Sequence, residues 1–412
     1  MRSLNSAILI VLAAALIDVI GFGIVMPVLP KLITELGHLD LADATRVSGW
    51  MLAVFAITQF FAGPVMGNLG DRYGRRPVLI GCMAAFAIDY TVMALSPTLG
   101  WLFLGRAIAG ITGATFGPIG AVIADVTPPE KRAKNFGLMT AIFGLGFIIG
   151  PAVGGLVAAF GPRAPFWCAA GLAAANAVIM TVFLPETLAL ENRRPFRLRD
   201  SHVIGAFKPL FAAGNATPLL VAWFLWQLGG IVYPTTWAFW CKLRFGWDER
   251  AIGLSLAWVG LLQLIIQMLL TGRIVKRTGE WGAAVLGLTA SAVTLLAYVF
   301  ATQGWEVYAF FIVGAFGAVA WPALNGILSG MVDATRQGAL QGGIGSMNSV
   351  AQVLGPIIAA QALAIGATSG FDGGAFLVAG GLIGVAALIV GFGLPHIKAA
   401  HGRQSEAQPQ AH

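Results

Sequence analysis

The sequence predicts an all-α membrane protein, with twelve transmembrane helices forming two six-helix, pseudo-symmetric halves. Three observations predict it. Of the 412 residues, 58% are hydrophobic and only 10% are charged, against about 25% charged residues in soluble domains. Too few charges therefore remain to cover a water-facing surface. Mean hydropathy is +0.82, and apolar runs repeatedly reach the roughly 20 residues that cross a hydrocarbon core. Finally, two features recur at one offset of 205 residues: Gly67 and Gly74 as Gly272 and Gly279, and Gly150-Pro151 as Gly355-Pro356. Parallel repeats of six spans are an architecture of transporters.

Apolar runs set against turn and charge signals give spans at 4–32, 47–69, 78–96, 101–126, 136–159, 165–184, 217–241, 250–272, 281–302, 305–331, 339–364 and 374–394. The first exceeds a signal-peptide core and lacks a small-residue cleavage site, so it counts as a span. The second leads into the loop Gly67–Pro77, whose glycines allow a tight turn. Glycine at positions 146, 150 and 154 places small residues on one face of the fifth. After the sixth, the polar stretch 185–216 carries Glu186, Glu191, Arg193, Arg194, Arg197, Arg199, Asp200 and Lys208, and reads as a linker between an N-terminal half, 1–184, and a C-terminal half, 217–394. The tail, 395–412, is expected to be disordered.

Charge sets the orientation. With both termini in the cytoplasm, 18 of the 25 basic residues fall inside, six lie outside, and Arg106 lies within a span. The net charge of +7 is thus accounted for by topology rather than by nucleic-acid binding. Cys82, Cys168 and Cys241 are odd in number and widely spaced, which suggests neither a disulfide framework nor a metal site. All five histidines, His38, His202, His396, His401 and His412, lie outside the spans, and no nucleophile constellation appears, so enzymatic chemistry and bound cofactors are not expected.

Three charged residues remain deep in the membrane: Asp18, Asp89 and Arg106. Each costs about 2.5–3.5 kcal/mol at a helix centre unless it finds an interior partner or an aqueous cavity. Asp89 lies eight residues before Pro97 and Arg106 six after Gly100, so both sit roughly 10 Å below the same surface on consecutive antiparallel helices. They are placed to form an ion pair. Asp18 sits near the midplane without such a neighbour. It is either a satisfied structural acid or a site that takes up and releases protons.

Four segments resemble a known family. The loop Gly67-Asn-Leu-Gly-Asp71-Arg72-Tyr-Gly74-Arg75-Arg76-Pro77 is similar to the signature of the major facilitator superfamily. Leu104-Gly-Arg106-Ala-Ile-Ala-Gly110-Ile-Thr-Gly113 looks like its membrane-arginine motif. Gly144-Leu-Gly146-Phe-Ile-Ile-Gly150-Pro151-Ala-Val-Gly154-Gly155 resembles the antiporter motif of its exporters. Leu16-Ile-Asp18-Val-Ile-Gly21-Phe-Gly23-Ile-Val-Met-Pro27-Val-Leu-Pro30, together with Asp89-Tyr90-Thr91, looks most like the tetracycline-efflux branch of the twelve-helix drug:proton antiporters. Two positions depart from that branch, with Ser291 in place of an aspartate and Gln263 in place of a histidine, which points away from tetracycline as cargo.

The resemblance implies an exporter of small amphipathic organic compounds. It would be driven by the proton gradient without a cofactor, work as a monomer in a bacterial inner membrane, and have no nucleic-acid partner. An organic-solute symporter or facilitator of the same fold is the alternative, and a transport-dead receptor or scaffold is a third reading. The resemblance implies a cytoplasmic latch formed by Asp71, Arg75 and Asp125, unless Arg72, Arg75 and Arg76 merely enforce topology. The span-5 motif is helix packing or, in addition, a hinge that favours exchange. Polar and aromatic residues at span depth, Gln59, Trp226, Gln227, Tyr233, Trp237, Gln263, Gln267, Asn325, Asn348 and Gln352, are candidates to line the cargo site or to join helices.

Overall fold

The structure, a computed structural model, describes residues 2–113, 115–194, 216–332 and 337–406. Among them there is no strand. Eleven helical segments are long and apolar enough to cross a membrane, and the longest, Glu249–Phe300, contains Gly279 at φ 72°. A residue in that conformation cannot continue a right-handed helix. The 52-residue segment is therefore two spans, which brings the number to twelve.

Several spans differ from the sequence expectation. The first is not continuous over 4–32: α1 (Arg2–Val25) ends before Pro27, and a separate α2 (Leu29–Gly37) begins with Pro30 at its first turn. Proline lacks the N–H that would continue the ladder. The fourth span is likewise two helices, α5 (Leu99–Thr112) and α6 (Phe116–Val126), and the seventh divides into α9 (Thr217–Gly230) and α10 (Val232–Phe245). In the tenth, the stretch Ala315–Val319 tightens to a 3-10 helix. These interruptions follow the repeat. The break after Val25 lies one repeat length before the break at Ile231, and Gly113 lies one repeat length before residue 318. Gly74 and Gly279, at φ 105° and 72°, make the same turn in each half, and Pro151 and Pro356 both lie inside helices.

The tail expected to be disordered from 395 continues as helix to Glu406 in α16 (Gly374–Glu406). Residues 407–412 lie outside the described residues, as does most of the predicted linker, including Arg197, Arg199, Asp200 and Lys208.

The chain forms two compact units. Unit 1 comprises Met1–Val203, Tyr233–Leu261 and Gln352–Asp372; unit 2 comprises Ile204–Val232, Leu262–Ala351 and Gly373–His412. These units follow packing rather than the repeat. Within unit 1, α1 packs on α7 (Pro129–Val157) and α8 (Ala164–Phe183), α8 on α4 (Arg75–Leu95), and α3 (Leu41–Tyr73) on α5. Parts of the seventh, eighth and eleventh spans join this unit, the last two at glycines that let backbones meet. A Cβ on Gly49 would press on Pro356 and Ala360, and one on Gly155 would stand 2.6 Å from the Glu249 carbonyl. In unit 2, α12 (Thr271–Phe300) and α9 pack on α16. The cysteines are free, with Cys82 and Cys241 buried, as expected of packing residues.

Candidate functional site

The two expected intramembrane groups are neighbours inside unit 1. Asp89 is fully buried on α4, and the Arg106 guanidinium reaches its Oδ2 at 3.5 Å while its Nη2 also lies 2.8 Å from the Met93 sulfur. The expected pairing is present, as a single long contact and not a bidentate one. Asp89 Oδ1 and Arg106 Nε have no hydrogen-bond partner. Gly105 makes the approach possible, since a Cβ there would stand 2.7 Å from Asp89 Oδ1.

Asp18 does have a partner, and it comes from the break in the fourth span. Thr115, fully buried at the start of α6, donates its hydroxyl to Asp18 Oδ2 at 3.1 Å. The same break turns out the Gly113 carbonyl, which accepts from Gln59 Nε2 at 3.0 Å. Of the two roles expected for Gln59, cargo contact or joining of helices, this bond is the second, closing an interrupted helix. Tyr90 joins the cluster, with its hydroxyl beside Gly21 and within electrostatic reach of Asp18, Asp89 and Arg106. The sequence signal for Thr115 is a hydroxyl two residues after Gly113 in the fourth span.

At the loop Gly67–Pro77, helix α3 continues to Tyr73, and only Gly74 makes the turn. The expected tight turn at Gly67 is absent; a side chain there would meet open space. Arg75 Nη1 pairs with Asp71 at 2.6 Å and its Nε lies 3.4 Å from Asp125 Oδ2. This brings together the three residues of the expected latch. Arg72 takes no part in it and lies over the Tyr73 ring at 4.9 Å. Arg76 Nη2 donates to the Thr181 carbonyl at 2.5 Å.

The sequence reading missed Glu186, which it placed among the linker charges. Its carboxylate accepts from the backbone N–H groups of Arg75 at 2.9 Å and Arg76 at 3.2 Å, and from Thr187 and Leu188 at 3.0 Å. Gly74 precedes α4 and has no side chain to cap it, so the unpaired N–H groups of that helix take a carboxylate from 110 residues away. The opposite end of α4 is closed by Arg163, whose guanidinium donates to the carbonyls of Ala94 and Ser96 at 3.2 and 2.8 Å. The missing cap was the one local signal that could have exposed Glu186. Glu186→Ala is expected to cost about 1–2 kcal/mol and to lower the unfolding temperature of the purified protein, with Glu186→Gln recovering part of it.

The span-5 glycines contact two partners. Those at 146, 150 and 154 face α1, and a Cβ on Gly150 would stand 2.8 Å from Gly23 Cα and from the Ile20 carbonyl. Gly155 and Pro151 face α11 (Glu249–Ile265), where Gly253 lies against Gly155.

The aromatic and amide candidates divide between the units. In unit 1, Trp237 is only 1% exposed and donates to Ser255 Oγ at 2.9 Å, so it is core and not a cargo wall. Tyr233 is half-buried, with its ring 5.7 Å from that of Trp237, and Gln352 is exposed. In unit 2, Trp226 and Gln227 are half-buried and Gln263 and Gln267 exposed, the latter inside a π-helical turn, Ile266–Leu270. Asn348 accepts from Trp223 at 2.8 Å, Trp223 meets Trp226 edge-on at 5.6 Å, and Asn325 accepts from Gln341 at 2.9 Å. Ser291, where the resembled branch carries an aspartate, lies against Gly317, at which a Cβ would press on the Ser291 hydroxyl.

Comparison with known proteins agrees with this geometry. Residues 11–309 and 244–411 match the Major Facilitator Superfamily. The chain is 39% identical over 378 residues to the class C tetracycline resistance protein of Escherichia coli, covering 92% of this chain and 94% of that protein. It is 36% identical to the class B protein of the same organism, covering 86% and 88%. The crystal structure of the human organic anion transporter MFSD10 superposes with a TM-score of 0.69 at 24% identity, covering 94% of this chain and 99% of that one.

Proposed function

The chain belongs to the major facilitator superfamily, and from that premise we propose how it works as a proton-coupled drug-efflux transporter in a bacterial inner membrane. It is a membrane transporter and not an enzyme, and the proton gradient supplies its energy. The observation that carries the mechanism is the intramembrane cluster of Asp18, Asp89 and Arg106 in unit 1, where Arg106 contacts Asp89 and Asp18 accepts from Thr115. Asp18 takes a proton from the outer side and releases it inside as access alternates, while Asp89 and Arg106 organise the acid. A buried acid held by one hydroxyl exchanges a proton at small structural cost.

In this reading the termini are cytoplasmic, and the halves 1–184 and 217–394 are joined by the linker 185–216. Asp71, Arg75 and Asp125 hold the cytoplasmic end closed in one phase of the cycle, with Gly74 as pivot. Gly146, Gly150, Pro151, Gly154 and Gly155 keep span 5 tight against its neighbours, so that protons cross only in exchange for cargo. Cargo contacts fall, within unit 2, to Trp226, Gln227, Gln263 and Gln267, which are half-buried or exposed at span depth. The transporter acts as a monomer. Its relatives are named for tetracycline resistance, so tetracycline leads the compounds to be tested, against the expectation drawn from Ser291 and Gln263.

The test is a proteoliposome with a pH dye inside and an imposed gradient. Addition of tetracyclines and other amphipathic compounds is expected to trigger proton flux opposite to that of the cargo. Cargo crossing with no proton movement would make the protein a facilitator.

A further inference from the structure

A second buried constellation in unit 1 shares Arg106 with the acid cluster. A cavity of about 30 Å³ is walled by Phe22, Leu52 and Phe239 and by three polar side chains, Ser48, Arg106 and Thr235. All three are buried, at 1%, 4% and 2% exposure. Ser48 Oγ, Arg106 Nε and Thr235 Oγ1 each have no hydrogen-bond partner. No carboxylate lines the cavity.

A buried hydroxyl or N–H left unpaired is destabilising, and a buried cation is more so unless its charge is compensated. Asp89 compensates Arg106 through one contact of 3.5 Å, and the guanidinium Nε is left without a partner. The volume accommodates about two water molecules or one monatomic ion, and excludes any organic carboxylate. Two hydroxyls and a guanidinium are donors, and their field repels cations. We propose that this cavity is a binding site for one small monovalent anion, of the chloride type, coordinated by Ser48, Thr235 and Arg106. The site stands on the geometry of unit 1 and does not depend on what the protein exports.

Charge separates an anion from ordered water. Neutralising Asp89 removes the competing counter-charge from Arg106, which tightens an anion but leaves a water indifferent. The experiment uses the purified full-length protein at constant pH and ionic strength, with sodium gluconate replaced stepwise by sodium chloride, and reads radioactive chloride binding together with thermal unfolding. One saturable ion per chain and a chloride-specific rise in unfolding temperature are expected. Asp89→Asn is expected to raise the affinity about tenfold, and Ser48→Ala with Thr235→Val to lower it about tenfold or more. Chloride and gluconate behaving alike, or binding unchanged in the double variant, would overturn the proposal. Should the double variant fail to fold, the cavity is intact in Asp89→Asn, and absence of tighter binding there overturns it equally.

Discussion

Asp18→Asn is expected to abolish proton-coupled exchange while leaving a folded protein in the membrane. The asparagine side-chain oxygen can still accept the Thr115 hydroxyl that now reaches Asp18 Oδ2 at 3.1 Å, so the break in the fourth span keeps its closure. What is lost is a group that can hold and release a proton, and removal of a positioned acid or base lowers rates by about 10²–10⁴-fold. The measurement is cargo-triggered proton flux in proteoliposomes, with the unfolding temperature as control. Thr115→Val leaves the acid and removes one hydrogen bond, for about 1 kcal/mol, and is expected to weaken exchange without abolishing it. Full proton exchange in Asp18→Asn would shift the coupling role to Asp89.

Gly150→Val is the second large effect. A Cβ at that position stands 2.8 Å from Gly23 Cα and 2.8 Å from the Ile20 carbonyl, both backbone atoms that cannot turn aside. Valine adds two further methyl groups, forcing α1 away from α7 along the stretch that carries Asp18. Overpacking of this kind costs about 1–3 kcal/mol, and here it displaces the coupling residue as well. Loss of transport together with lower thermal stability is expected. Gly144→Ala is the matched control: it lies in the same helix, where a side chain meets nothing within 4 Å, and is expected to behave as wild type. Equal effects at both positions would mean that span 5 tolerates no substitution at all, and would remove the helix contact from the explanation.

The sequence by itself determined the features whose cause is local. Apolar runs of about 20 residues are spans because an unsatisfied backbone cannot sit in hydrocarbon, and the 205-residue offset in the sequence puts the turn at Gly74 in register with the turn at Gly279. The pairing of Asp89 with Arg106 was also legible, because two charges at equal depth on adjacent antiparallel helices have few other places to go. Only the tertiary structure decided the rest. Glu186 looks like a linker charge because the N–H groups it accepts from belong to residues 110 positions away, and sequence leaves Gln59 and Trp237 open between cargo contact and helix joining because nothing local reveals their bonds to Gly113 and Ser255. Hydropathy reports how much of a residue the lipid or the core covers. Which polar group meets which depends on contacts between distant helices, and those are specified by shape rather than by pattern.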